Sequence, residues 1–346
     1  MDGNVRCGLS RRIKTLLAGV LSLAVLAVAG CGGGGGVGSS GDGPKVVAVA
    51  SSMNRDLSKA LTNDFANRTG IVVEFEPLNA RGLRDRLDSF NTSTADVWMG
   101  GTAEEYYLAG DRKLLVPYHP AAAANLPPEY LDREGQWTPL SIDRIAFLSN
   151  TDRLEELHVR PPETWIELLQ PVLHNETILA VPEAGGASYG MITTLWQLWG
   201  QEKALQYAGI FRTQKPTYVP TDAKAAYAVF QGSKAVAVLP LRHARMLERE
   251  HRFLTATAVK DGNKNLITAV AILKGGKHRA EAQRFLDYLL SADASRIMRD
   301  YGFTPLLDDV LSHDRKPQET GPITNDDLRW AALYKQDIIK AWLNAK

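Results

Sequence analysis

Cysteine is scarce in this chain. Only two of the 346 residues are cysteine, Cys7 and Cys31. Both precede residue 32, so residues 45–346 hold no disulfide and no paired-thiolate metal site. Net charge is scarce too. Forty Lys and Arg stand against 39 Asp and Glu, a formal balance of +1. Such a chain lacks the basic footprint of a nucleic-acid binder, and no nucleic-acid partner is expected. Long apolar runs are missing: residues 16–29 fall short of the roughly 18–20 that cross a bilayer. No repeat of fixed period occurs, which excludes solenoids and propellers.

What is present begins at the N-terminus. Arg6, Arg11, Arg12 and Lys14 precede the apolar run, which closes on Val28, Ala29, Gly30 and Cys31. A positive segment, a short apolar segment and small residues before a cut site describe a secretory signal. Cys31 directly after the small residues resembles the lipobox of bacterial lipoproteins. That resemblance implies cleavage before Cys31, acylation of its thiol, and a protein lipid-anchored to a bacterial membrane, in the periplasm or at the cell surface. Residues 1–30 are then the signal peptide. Residues 31–44 read CGGGGGVGSSGDGP, the composition of a Gly/Ser tether that gives a folded body reach. Removing four basic side chains and one acidic side chain with the signal leaves a formal charge of about −2. The remaining length suffices for two domains with sizeable cores.

The body alternates short apolar runs with helical spacing. Residues 46–50 suit a buried parallel strand. Leu57, Leu61 and Phe65 follow at i, i+4 spacing, and Gly70 ends that helix. Residues 71–75 form a second strand, Leu83 and Leu87 mark a helix, and residues 95–99 form a third strand. This β-α-β-α-β order implies a parallel sheet with right-handed crossovers. Residues 117–128 are expected to be irregular. Further strands are expected at 145–149, 178–181, 235–239 and 266–273, and a short helix at 162–169. Ala282, Phe285, Leu286, Leu289 and Leu290 define an amphipathic helix. Thr324 and Asp327 resemble a capping box before a helical tail carrying Ala331, Tyr334, Ile338 and Trp342.

These segments, taken in order, resemble one family. Ala50-Ser51-Ser52 after the first strand, Asn67-Arg68-Thr69-Gly70-Ile71, and Ala95-Asp96-Val97-Trp98-Met99-Gly100-Gly101 are similar to bacterial extracellular solute-binding proteins. So are Pro162-Glu163-Thr164-Trp165, Ala187-Ser188-Tyr189-Gly190 and the run Ala269 to Gly276. The subgroup it resembles serves ABC importers of ferric iron, sugar phosphates and phosphonates. The resemblance implies an α/β, two-lobed periplasmic-binding-protein type II fold. Each lobe would be a mostly parallel sheet flanked by helices, with two crossover strands between lobes. Residues 45–141 plus 267–346 would form lobe one and 142–266 lobe two. A small-molecule solute, an ABC permease and the membrane are the implied partners, and a monomer is expected.

Ligands of open α/β sheets sit beyond the carboxyl ends of the strands. Those ends carry Ser51, Ser52, Asn79, Arg81, Gly101 and Thr102 in lobe one, and Ala187, Ser188, Tyr189 and Arg242 in lobe two. Small and hydroxylated residues at helix N-termini offer N–H and O–H donors to an anion. The same residues also serve as ordinary helix caps. Arg242 suits bidentate contact with phosphate, phosphonate or carboxylate, and equally suits an interlobe ion pair. Ferric-binding members of the family carry adjacent tyrosines in lobe two. Residues 239–244 have none, and Tyr106 and Tyr107 are expected to pack in a core. The expected function is therefore capture of a small anionic solute, with no enzymatic activity, no metal and no cofactor. Three alternatives stand beside it: a ferric-iron carrier, a ligand receptor for a sensor kinase, and a serine hydrolase using Ser188. The last rests on Gly186-Ala187-Ser188-Tyr189-Gly190, which fits the G-x-S-x-G nucleophile elbow.

Overall fold

The structure, a computed structural model, describes residues 45–78, 94–307 and 327–346. The expected helix at Leu83 and Leu87, the signal segment and the tether lie outside the described residues. Residues Gly43–Lys346 form one compact unit, separate from Met1–Asp42, and every described core lies within it.

Two sheets organise the body. In the first, β1 (Val46–Ser51) pairs in parallel with β2 (Val72–Pro77) and β3 (Val97–Thr102). Helix α1 (Arg55–Thr69) connects β1 to β2. Asn54 caps it by accepting from Asp56 N at 2.9 Å and Leu57 N at 3.0 Å, and left-handed Gly70 ends it. Its Leu57, Leu61 and Phe65 are buried, as their spacing requires. Strands β11 (Leu266–Leu273) and β5 (Thr138–Asp143) continue the sheet antiparallel, with short β4 (Leu115–Val116) and β12 (Thr304–Pro305) at its margins. The second sheet has the order β10-β6-β9-β7-β8: Leu254–Ala258, Ile145–Asn150, Val236–Pro240, Thr177–Ala180 and Thr217–Val219. The three strands β9, β7 and β8 are parallel. Each sheet thus has a parallel half, and its antiparallel half holds the crossover strand.

Alternation explains why the second sheet is covered on both faces. On β6, Ile145 and Phe147 join a core with Trp165, Tyr207 and Phe211. Ala146 and Leu148 point the other way, to Ala225, Val229 and Leu239. The chain passes between sheets twice. One passage is Arg144, between β5 and β6; the other is residues 259–265, between β10 and β11. Asn263 ties the two together: its Oδ1 accepts from Ile145 N at 2.9 Å and its Nδ2 donates to Ile145 O at 2.8 Å.

One expectation is corrected. The helix expected at 162–169 is a single 3-10 turn, Ile166–Leu169. Trp165 before it is fully buried, with its indole N–H donating to Gly262 O at 2.9 Å, and tertiary packing sets this segment rather than helical propensity. Asp327 itself caps the helix Leu328–Leu333 by accepting from Trp330 N, and a second helix, Lys335–Leu343, follows. Ile338, Ile339 and Trp342 of that second helix pack into the core of the second sheet.

Candidate functional site

A cleft of about 780 Å³ opens where the strand ends of the two sheets meet. Asn54 and the segment 299–302 line it from the first sheet's side, and Asp222, Arg242 and His243 from the second's. Asp143, the last residue of β5, stands at the passage between them. The lining carries four arginines (Arg242, Arg245, Arg249, Arg299) and four carboxylates (Asp143, Asp222, Glu250, Asp300). Charge therefore balances across the cleft as a whole, and any preference for an anion must arise locally.

Arg242 is the local feature. It lies in the first turn of the helix Leu241–Glu250, which starts directly after β9 under Pro240. Its Nε is 3.6 Å from Asp143 Oδ2, and its backbone N donates to Asp143 Oδ1 at 3.2 Å. Its guanidinium carbon stands 3.9 Å over the Phe303 ring. Face stacking on an aromatic leaves the edge of the guanidinium available for in-plane contacts. The side chain remains 30% exposed, toward the cleft. Arg242 thus pairs with Asp143 between the two sheets and also lines the cavity.

Two carboxylates accompany it that sequence reasoning missed. Asp222 opens the helix Asp222–Phe230, which Thr221 caps by accepting from Lys224 N. Burial pushes the Asp222 carboxyl up to about 6; Asp143 adds to the shift and Arg242 opposes it. Burial also raises the Asp143 carboxyl, against Arg242 and two backbone N–H bonds. The Asp143 Oδ2 atom is buried with no hydrogen-bond partner among the described residues. Desolvation correspondingly lowers Arg242, with both carboxylates opposing, and lowers His243 with help from Arg242. Thr221-Asp222 carries a visible cap signal, but nothing in sequence marks Asp143 as facing Arg242 across 99 residues.

The other expected site residues divide. Ser51 is buried, its Oγ 2.9 Å from Ser58 Oγ and accepting from Met53 N at 3.1 Å; it holds the turn into α1. Ser52 Oγ is buried with no hydrogen-bond partner among the described residues. It lies against Gly100, where a Cβ would come within 2.9 Å of it and of Met53 N; φ there is +94°, so only glycine fits. Gly101 and half-buried Thr102 lead into the helix Ala103–Asp111, whose first turn buries Glu104 and Glu105. Glu104 pairs with fully buried Lys264 at 2.9 Å, and Lys264 also reaches Thr193 Oγ1 at 3.2 Å. That helix N-terminus is therefore supplied with internal carboxylates rather than left for an outside anion. Asn79 and Arg81 lie outside the described residues, as does Cys31.

In the second lobe, Gly185 (φ +81°) meets the first: a Cβ on it would sit 3.9 Å from Thr102 Oγ1 and 3.4 Å from Lys335 Nζ. Ala187, Ser188 and Tyr189 are all buried at the start of this lobe's long helix. Ser188 Oγ donates to Ala180 O at 2.6 Å, and the Tyr189 hydroxyl donates to Ala331 O. The turn Pro182–Ala184 separates β7 from the helix Gly186–Thr213, so the tight strand-turn-helix of a nucleophile elbow is not formed. With its hydroxyl engaged at zero exposure, Ser188 is not placed as a nucleophile. Tyr106 packs as expected: its ring stacks on Trp98 at 3.9 Å, and its hydroxyl donates to Gly100 O and Ala269 O, each at 2.7 Å.

Comparisons with known proteins fit this geometry. The sequence model described as bacterial extracellular solute-binding protein matches residues 94–330. The Fe(3+)-binding periplasmic protein of Serratia marcescens is 20% identical over 269 residues, covering 73% of this chain and 76% of that protein. The periplasmic binding protein AfuA from Actinobacillus pleuropneumoniae, solved with exogenous fructose-6-phosphate bound, superposes with a TM-score of 0.78 at 22% identity, covering 87% of this chain and 98% of that one. Iron-bound HitA from Pseudomonas aeruginosa superposes at 0.75 and 19% identity, covering 86% and 99%.

Proposed function

The chain belongs to the bacterial extracellular solute-binding proteins, and we propose that it captures a small organic anion for an ABC importer while tethered by a lipid on Cys31. Two lobes joined at Arg144 and residues 259–265 suit closure about that hinge. The observation that carries the anionic reading is Arg242, stacked on Phe303 and facing the cavity from a helix N-terminus. A guanidinium held in this way recognises phosphate, phosphonate or carboxylate by paired N–H donors. Of the similar solved structures, one holds fructose-6-phosphate and another iron. Hard Fe(III) calls for anionic oxygen ligands, and residues 239–244 supply an arginine and a histidine where ferric carriers place tyrosines.

A thermal-shift screen of residues 45–346 tests this reading. A ligand at a hundredfold excess over its dissociation constant adds about 2.7 kcal/mol, a rise of a few degrees in Tm. The expected result is a rise with a phosphorylated, phosphonate or carboxylate solute. A rise with Fe(III) alone would overturn the organic-anion reading. The tether has its own test. Cys31→Ser is expected to move the protein from the membrane to the soluble fraction, read by fractionation and immunoblot. Membrane association of Cys31→Ser that survives a high-salt wash would make residues 16–29 the anchor.

A further inference from the structure

The end of the first sheet opposite the cleft carries a second site. A pocket of about 380 Å³ lies where β4 and β11 finish against Asp96, and the side chains of Lys113, Lys274 and Arg279 line it. All three are exposed, and none has a hydrogen-bond or ion-pair partner among the described residues. Asp96 is the only acidic lining residue, and its carboxylate is already engaged. Oδ2 accepts from Ala48 N at 2.8 Å and lies 2.9 Å from His278 Nδ1, while Oδ1 accepts from His278 N at 2.8 Å. Arg279 also begins the helix Arg279–Leu289, so backbone donors without intrahelical acceptors flank the same pocket. The acidic residues nearest in sequence, Glu281 by Arg279 and Asp111 by Lys113, do not line the pocket, and Asp111 pairs with Arg329 at 3.1 Å. Three unengaged cations around one depression outnumber its single, already hydrogen-bonded carboxylate and leave a local positive excess.

Its position identifies the occupant. β3 runs from beside Asp96 to Thr102 at the cleft, about 20 Å at the usual strand rise. The pocket is therefore at the far end from the solute cleft. The chain also enters the body at this end: β1 begins at Val46, and Ala48 pairs with Asp96 through Asp96 N to Ala48 O at 2.8 Å. That entry point, Val46, is 15 residues from Cys31 in sequence, at most about 50 Å of chain. We infer that Lys113, Lys274 and Arg279 bind phosphate headgroups of anionic phospholipid, bringing this end of the body to the membrane surface. The inference rests on the membrane-tethered reading for the presence of a bilayer, but the binding itself needs no lipid on Cys31. Failure of one is thus distinguishable from failure of the other.

The test is flotation of residues 45–346, which contain both sheets and all described cores, with phosphatidylcholine vesicles with and without phosphatidylglycerol. Binding is expected only where phosphatidylglycerol is present, and it should weaken as salt rises. The triple variant Lys113→Glu, Lys274→Glu, Arg279→Glu is expected to lose at least about tenfold in apparent affinity, and Arg242→Ala to lose none. The three positions are exposed, and an unchanged Tm would confirm folding of the triple variant. No binding to anionic vesicles, or equal binding by the triple variant, overturns the inference. So does displacement by millimolar inorganic phosphate with saturable binding of phosphate at this pocket, which would make free phosphate the occupant.

Discussion

Lys264→Ala is expected to lower the unfolding free energy by about 3–5 kcal/mol, the range for removing one partner of a buried ion pair. The Lys264 side chain is wholly buried and Glu104 is 6% exposed, with Nζ 2.9 Å from Oε1. Removing the ammonium leaves a carboxylate in the interior with only Thr102 and backbone bonds to support it. In a body of this size the loss corresponds to roughly 5–10 °C in Tm. The pH dependence gives the sharper readout. Burial alone would raise Glu104, but the charge and hydrogen bond of Lys264 outweigh it and hold the carboxyl below its ordinary value. In the parent, this stabilisation is present above the ordinary value and lost as pH falls through the depressed one. In Lys264→Ala, burial prevails, the carboxyl rises, and the penalty is relieved as pH falls. The gap in Tm between the two proteins should therefore narrow from pH 7 to pH 4. The double variant Glu104→Gln, Lys264→Met should recover most of the loss. A gap that is small at pH 7, or constant across pH, would mean the pair contributes little.

The sequence disclosed local periodicity well and long-range partnership poorly. Leu57, Leu61, Phe65 and Gly70 fix α1 because spacing and a left-handed cap act within a few residues. The parallel halves of both sheets follow from the β-α-β order for the same reason. The tail shows the limit. Ala331, Ile338 and Trp342 state that one face is apolar but not which core receives it, and Trp342 packs near Tyr207, 6.0 Å between ring centroids. Hydroxyls mislead similarly: Ser188 reads as a donor at a helix start, yet its bond to Ala180 O is internal. Arg242 was legible because it follows a strand. Asp143, Asp222, Lys264 and Lys335 were not, since each takes its meaning from a partner on a distant segment. Lys335 is buried in the tail, 3.9 Å from Glu105 and 5.0 Å over the Tyr189 ring, a placement no spacing rule supplies.

Arg242→Ala is expected to weaken the organic anion identified by the thermal-shift screen by at least about tenfold, the scale of one lost charge-assisted contact. The substitution also leaves Asp143 and Asp222 facing the cleft without their shared cation. Asp222 gives this argument a pH axis. Its carboxyl titrates at about 6, so it is ionised at pH 7.5 and largely protonated at pH 5. An anion beside Arg242 is repelled by the ionised form, so its affinity should rise as pH falls through 6. Binding would then take up protons in that window, which calorimetry in buffers of different ionisation enthalpy detects. Asp222→Asn removes the group and should bind more tightly at pH 7.5 while losing this dependence. Comparing parent with variant cancels any titration of the ligand itself. The same substitution should stabilise the free protein above pH 6 and not below pH 4, because a carboxyl raised by burial costs stability only where it is ionised. The opposite slope, with affinity falling on acidification in the parent and weaker binding in Asp222→Asn, would assign Asp222 to a hydrogen-bond donor on the ligand. Unchanged affinity in Arg242→Ala would place the anion elsewhere in the cleft.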